Sequence, residues 1–328
     1  MSIKDKGYRY KKCNAYGYHI PCSGYLFDDQ EIRYAVDLYF HDKQLAIKVY
    51  GNMEEWNTSC VTDMSQLFKN QILFNVNISR WDVSNVIYMD EMFAFCKHFN
   101  QPIGIWDTSK VITMEAMFAG ATLFNQDIKL FNTMNVISMK QMFYAACSFN
   151  QNIGSWNTKN VQDMSYMFYQ ALLFNNKIGE WNTENVKYMQ YMFFKASTFN
   201  QNLSSWNVES VSSVSDFENM FGTTSNNNNL SENNKGCINK SWSIQSPNIW
   251  TNTIYGKEWP ITCYQPITQE NIQKAVNLWI RNKSRAKKIY GPINKWNTST
   301  VTDMSNLFEN KTTFNSNISN WNTSKVKR

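Results

Sequence analysis

Tryptophan recurs at Trp56, Trp81, Trp106, Trp156, Trp181 and Trp206, and Phe131 fills the one vacant place, so the chain repeats every 25 residues without slippage. A piece that short cannot enclose a core alone. A fixed period of this size therefore dictates units that bury their apolar faces against their neighbours in a stack. Counting each Trp as position 1, position 6 is Val from Val61 to Val186, position 9 is Met from Met64 to Met189, and position 13 is Phe from Phe68 to Phe193. Position 12 runs from Leu67 to Met192, position 19 from Phe74 to Phe199, and position 23 from Ile78 to Leu203. Position 16 is small, Cys96 and then Ala121, Ala146, Ala171 and Ala196, which suits a close approach of neighbouring coils and makes Cys96 a buried spacer rather than a nucleophile. The 12 Trp and 16 Met of the chain are thereby one apolar coil written several times, not cofactor or metal chemistry.

The spacing of positions 9, 12, 13 and 16 predicts a short helix in each unit. Positions 1 to 4, Trp-Asn/Asp-Thr/Val-Ser, predict a short strand or an Asx-type turn. The expected fold class is an α/β repeat solenoid with helical N-terminal caps. At position 20, Asn75, Asn100, Asn125, Asn150, Asn175 and Asn200 read as a structural ladder in which each side chain bonds the backbone of a neighbouring coil.

The same cap sequence precedes two arrays at a constant offset of 240: Ala35 matches Ala275, Leu38 matches Leu278, and Tyr50-Gly51 matches Tyr290-Gly291. Each reads as a pair of short amphipathic helices ending at a glycine. The chain accordingly divides into a Tyr-rich leader expected to lack order (1–26), a helical cap (27–55), about six and a half repeats (56–222), an Asn-rich loop (223–235), a C-terminal cap (236–265), a second helical cap (266–295) and a truncated second array (296–328). The first array decays after Trp206, where Val214 and Phe217 stand at positions 9 and 12.

Catalytic signals are weak. There are only three histidines, far apart in sequence, and no repeated carboxylate cluster, glycine phosphate loop or nucleophile elbow. No catalytic residue, metal or cofactor is expected. The seven cysteines are odd in number and irregularly spaced, which favours reduced thiols in the cytoplasm. No apolar run is long enough to span a membrane. The net charge of +6 is mild, and Lys159, Lys177, Lys187 and Lys195 fall at different positions, so no nucleic-acid partner is expected.

The unit W-[ND]-[TV]-S-x-V-x-x-M-x-x-M-F-x-x-A-x-x-F-N-x-x-I resembles the repeats of BspA-like leucine-rich-repeat surface proteins, a type abundant in mycoplasmas and in giant viruses of amoebae. The resemblance covers roughly residues 30–222 and 266–328. It implies a leucine-rich-repeat-like stack and a role in recognition or adhesion, and it carries no catalytic residues over.

If the scaffold is constant, specificity resides in the variable positions. Tyr144, Tyr169 and Phe194 stand at position 14, Tyr166 and Tyr191 at position 11, and Tyr188 at position 8. Stacking would align them into an aromatic ridge, a composition typical of interaction hot spots. The leading expectation is a non-catalytic scaffold that binds another protein through its stacked coils, with this ridge as the candidate surface; the alternative for the rings is packing between adjacent helices or against the cap that contains Trp242 and Trp250. A structural virion or assembly component, a cell-surface adhesin, and an unrecognised enzyme stand behind it. An unfinished coil at 296–328 also suggests self-association.

Overall fold

The computed structural model describes residues 26–222 and 229–327. The leader expected over 1–26 lies outside the described residues save for Leu26, as do 223–228 of the Asn-rich loop. The chain forms two compact units, Met1–Pro260 and Ile261–Arg328.

The first unit opens with α1 (Asp29–His41) and α2 (Lys43–Tyr50). Asp28 caps α1 by accepting the N–H groups of Gln30 and Glu31. α2 ends at Gly51, whose φ of 79° is a left-handed conformation that glycine adopts without a Cβ penalty. The coils follow from Trp56.

The expected α/β, leucine-rich-repeat-like solenoid is not what forms. Among the described residues there is no strand and no sheet, and the α-helices all lie in the caps. Among the described residues the β-type pairing between adjacent coils is confined to isolated parallel bridges at position 8, from Asp63–Tyr88 to Asp163–Tyr188. The expected short helix in each unit is absent too, and its place is taken by consecutive turns. Within one coil, the N–H groups of Leu67, Lys69 and Gln71 reach back to the carbonyls of Met64, Gln66 and Phe68 (3.0–3.3 Å). The alternate N–H groups of Met64, Gln66, Phe68 and Asn70 leave the coil and donate to Tyr88, Asp90, Met92 and Ala94 of the next (2.8–3.0 Å).

This alternation needs positive φ at positions 11 and 15, and Gln66, Asn70, Glu91, Phe95, Tyr166 and Tyr191 all adopt it, with φ between 54° and 65°. A left-handed residue carrying a Cβ costs about 1–2 kcal/mol. The inter-coil hydrogen bonds and the side chains buried beneath offset it.

The core follows the apolar positions of the unit. The position-13 rings Phe68, Phe93, Phe118, Phe143, Phe168 and Phe193 stack at 5.6–5.7 Å between centroids. Each also lies 3.9–4.0 Å from the position-19 ring of its own coil. Burying one such ring contributes roughly 1.5–3 kcal/mol. Phe131 is buried in the Trp column, as its place in the period requires. At position 3, Thr58, Thr108, Thr133, Thr158 and Thr183 are buried, and each hydroxyl donates to a carbonyl of the next coil at 2.8–3.1 Å.

The array does not decay at Val214. Met189, Tyr191 and Phe193 donate to Asp216, Glu218 and Met220, three residues beyond the places the period gives. Phe221 then stacks on Phe193 at 5.7 Å. A short 3-10 turn, Val214–Phe217, absorbs a three-residue insertion, and the coil resumes in register with Phe217, Met220 and Phe221 as its core side chains. Beyond it, α3 (Glu232–Gln245) and α4 (Ile254–Glu258) cover the last coil, and Trp242 extends the Trp column 6.5 Å from Trp206.

The second unit repeats the opening with α5 (Ile272–Arg281), α6 (Lys283–Tyr290) and Gly291 at φ 76°. It has its own core around Ile272, Trp279, Trp296 and Leu307. Trp321 stacks on Trp296 at 5.8 Å. Among the described residues, the N–H groups of Met304, Asn306, Phe308 and Asn310, whose equivalents in the first unit bond a following coil, find no backbone acceptor.

The expectation of reduced thiols fails for three cysteines. Cys60, Cys237 and Cys263 are disulfide-bonded, while Cys96 and Cys147 are free. No helix among the described residues is long and apolar enough to cross a membrane.

Candidate interaction surface

Five of the six aromatic side chains singled out in the sequence meet. Tyr144 lies parallel to Tyr169 at 4.7 Å and 3°, and Tyr169 to Phe194 at 5.1 Å and 13°. Beside this column, Tyr166 stacks on Tyr191 at 4.8 Å and 7°. Cross-contacts at 5.9 Å (Tyr166–Tyr169) and 5.6 Å (Tyr191–Phe194) join the two columns into one half-buried patch. Positions 11 and 14 adjoin because they bracket one turn, not because they share a helix face. Tyr188 stays outside the patch. It is exposed on the bridge of position 8 and makes no ring contact with the other five.

Partial burial, and then the neighbouring phenol of Tyr169, push the Tyr144 hydroxyl up; burial, then Tyr191 and Glu218, do the same for Tyr166. Both phenols therefore stay neutral at physiological pH and remain hydrogen-bond donors. Tyr191 donates to Glu218 Oε1 (3.3 Å) and accepts from Asn219 Nδ2 (3.1 Å). The Lys195 ammonium lies 5.5 Å from the centroid of Phe194. At the other end Tyr144 packs on the buried cluster Ala94, Ala116 and Ala119. Glu218 and Asn219 escaped the sequence reading because the insertion shifts them by three places. The reappearance of Met220-Phe221 as a displaced position 12–13 pair was the available signal.

The residues assigned structural roles line the other faces of the stack. Asn75 Oδ1 accepts the N–H of Asn100 (3.0 Å), and the pattern runs through Asn125, Asn150, Asn175 and Asn200 to the N–H of Ser231 (2.8–3.0 Å). The indoles of Trp81, Trp156 and Trp181 donate to carbonyls 28 residues earlier (2.8–3.2 Å). Trp56 donates to Gly51 at 3.1 Å. Among the described residues the buried Trp106 Nε1 finds no hydrogen-bond partner.

Groups with chemical potential are dispersed. Asp90 accepts from the Thr113 hydroxyl (2.6 Å) and the Glu115 N–H (2.7 Å), and Glu115 accepts from Ser138 (2.6 Å). Burial raises the Asp90 carboxyl above its ordinary value, against those two hydrogen bonds. Burial pushes the Cys96 thiol up to about 12, and its Sγ donates to the Phe68 carbonyl at 2.8 Å. A thiol held so firmly protonated is a poor nucleophile. His41 and His98 are both exposed. Among the described residues no group of three or more His, Cys, Asp or Glu could hold a metal ion.

Residues 37–153, 126–234 and 268–328 match the family described as "Mycoplasma protein of unknown function, DUF285". The chain belongs to this family. No curated protein and no solved structure matches it. The family match carries the mycoplasma-type repeat part of the resemblance read from the sequence. It does not carry the leucine-rich-repeat part, which the lack of strands removes.

Proposed function

We propose that the first unit is a non-catalytic scaffold that recognises another protein through Tyr144, Tyr166, Tyr169, Tyr191 and Phe194. The observation that supports this is the aromatic patch itself. Its rings are held against one another before any partner arrives, so little side-chain freedom is left to lose on binding. Among the described residues the hydroxyls of Tyr144, Tyr166 and Tyr169 make no intramolecular hydrogen bond, which leaves three donors beside an apolar surface. A partner presenting aliphatic side chains and carbonyl or carboxylate acceptors complements that chemistry. The three bonded cysteines of the chain favour an oxidising setting over the cytoplasm.

The test replaces Tyr166, Tyr169 and Tyr191 together by Ser and compares melting with affinity capture from native material. Melting within a few degrees of the parent, with a specifically captured protein lost, supports the reading. A large fall in melting temperature with capture unchanged assigns the rings to packing alone and overturns it.

A further inference from the structure

The chain's charge is divided unequally between the two units. Residues 261–328 carry eleven Lys and Arg against three Asp and Glu, a net +8, whereas residues 26–260 carry 16 against 22, a net −6. The whole-chain figure of +6 conceals this. Five of the cations, Arg281, Lys283, Arg285, Lys287 and Lys288, lie within eight residues at the end of α5 and along α6, and all five are exposed. Only Ala286 of α6 is buried. No carboxylate occurs anywhere from Ile272 to Tyr290. Among the described residues none of the five cations forms an ion pair.

The first cap shows that the fold does not require this charge. The two caps share their backbone geometry: the N–H of Asp42 donates to the Leu38 carbonyl at 2.7 Å as that of Asn282 does to Leu278, and the N–H of Gly51 donates to the Ile47 carbonyl at 2.9 Å as that of Gly291 does to Lys287 at 3.0 Å. Yet the acids of the first cap are replaced, Asp29 by Gln269, Glu31 by Asn271, Asp37 by Asn277, Asp42 by Asn282 and Glu55 by Lys295. Tyr34, Leu45 and Ile47 become Lys274, Arg285 and Lys287. Like charges so close repel, so the substitution costs the folded state and contributes nothing the first cap lacks.

We infer that the helical cap of the second unit binds the phosphate backbone of a nucleic acid. Each exposed Lys or Arg that neutralises a phosphate releases a condensed counterion, and α6 offers them over most of its solvent-facing arc. Two other anionic partners fit less well. A helix that enters a lipid surface presents large apolar side chains opposite its basic face, and here the apolar side faces the unit's own core. Protein interfaces build on aromatic or aliphatic anchors and are depleted of Lys at their centre. The inference is independent of the function proposed for the first unit.

The test titrates the full chain against a fluorescent 24-base-pair DNA duplex and an RNA hairpin of similar length. Phosphatidylserine-containing vesicles and polyglutamate serve as competing anions. The expected result is binding to the duplex at low salt whose log–log salt slope is about −4.5, the value for roughly five phosphate contacts. The variant R281Q/K283Q/R285Q/K287Q/K288Q should bind at least tenfold more weakly, and K159Q/K177Q/K187Q, in the first unit, should bind as the parent does. If the five-fold variant melts early, R285L/K287I, borrowed from the equivalent places of the first cap, should still weaken binding and flatten the slope. No binding at low salt, equal losses in the two multiple variants, or equal or tighter binding to vesicles or polyglutamate would each overturn the inference.

Discussion

The carboxylate of Asp29 accepts both the backbone N–H of Thr62 (2.6 Å) and its hydroxyl (2.7 Å). A third bond, from the N–H of Asp63 (3.0 Å), completes the arrangement. Within the stack, the N–H at the same position finds the carbonyl of the preceding coil, as Ile87 finds Thr62 at 2.8 Å. Asp29 thus stands in for a coil that is not there. Arg33 does the converse by donating to the carbonyls of Asp63 (3.3 Å) and Ser65 (2.6 Å). In the second unit Gln269 does both, accepting from Thr302 and Asp303 and donating to Asp303 (all 2.9 Å).

Replacing Asp29 by Ala should therefore leave two N–H groups without an acceptor and lower the stability of the first unit by about 2–3 kcal/mol. Asp29→Asn, which keeps one acceptor oxygen, should lose less. Urea unfolding at unchanged m value reads the difference. Equal stability of Asp29→Ala and the parent would refute the plug.

Asn125 lies mid-ladder. Its Oδ1 accepts from the Asn150 N–H (3.0 Å) and from Gln151 Nε2 (3.0 Å). Asn125→Ala should cost roughly 1–2 kcal/mol. Asn125→Asp retains both bonds and strengthens them with charge. A carboxylate so bonded has a lowered folded-state pKa, so its added stability should be present above the ordinary carboxylate range and vanish as pH falls through the folded value. Thermal melts at pH 7 and pH 3 separate the two variants.

Cys96 occupies a place where the next four coils carry alanine. Cys96→Ala should change stability by less than about 1 kcal/mol, because the site is shaped for a methyl group. Cys96→Leu should lose roughly 1–3 kcal/mol to overpacking. In the native protein, iodoacetamide at pH 8 should leave Cys96 unlabelled and modify the partly exposed Cys147, as read by peptide mass spectrometry. Labelling of Cys96 at the rate of Cys147 would contradict the burial.

Asp90 carries the opposite sign of pH dependence. Its folded pKa is raised, so the ionised form is the disfavoured one in the native state. Stability should be greater below the ordinary carboxylate pKa and should fall as pH rises through the folded value. Asp90→Asn keeps an acceptor for Thr113 and Glu115 and removes the charge. It should melt higher than the parent at pH 7 and equally at pH 3. A variant less stable at pH 7 would show that the carboxylate is favoured where it sits.

Much of the interior was written in the sequence. Side chains alternate between stack and solvent with a constant register, so a run such as Val86, Met89, Met92, Phe93 and Phe99 declares itself core in any fold that stacks the unit. The same register brings Tyr144 over Tyr169 and Asn100 beside Asn125, because equal positions in a stack become neighbours whatever the backbone between them. Only the tertiary structure decided what that backbone is. Apolar spacing of three and four fits a helix and a chain of turns equally well, and what separates them is where alternate N–H groups go. In a lone segment the N–H of Phe68 would turn inward to close a helix; with a neighbouring coil in place it reaches Met92 at 3.0 Å, and position 11 pays for that with a left-handed residue. The side chains of a 25-residue unit fix that it must stack, and the partner that stacking supplies fixes the conformation in which it does so.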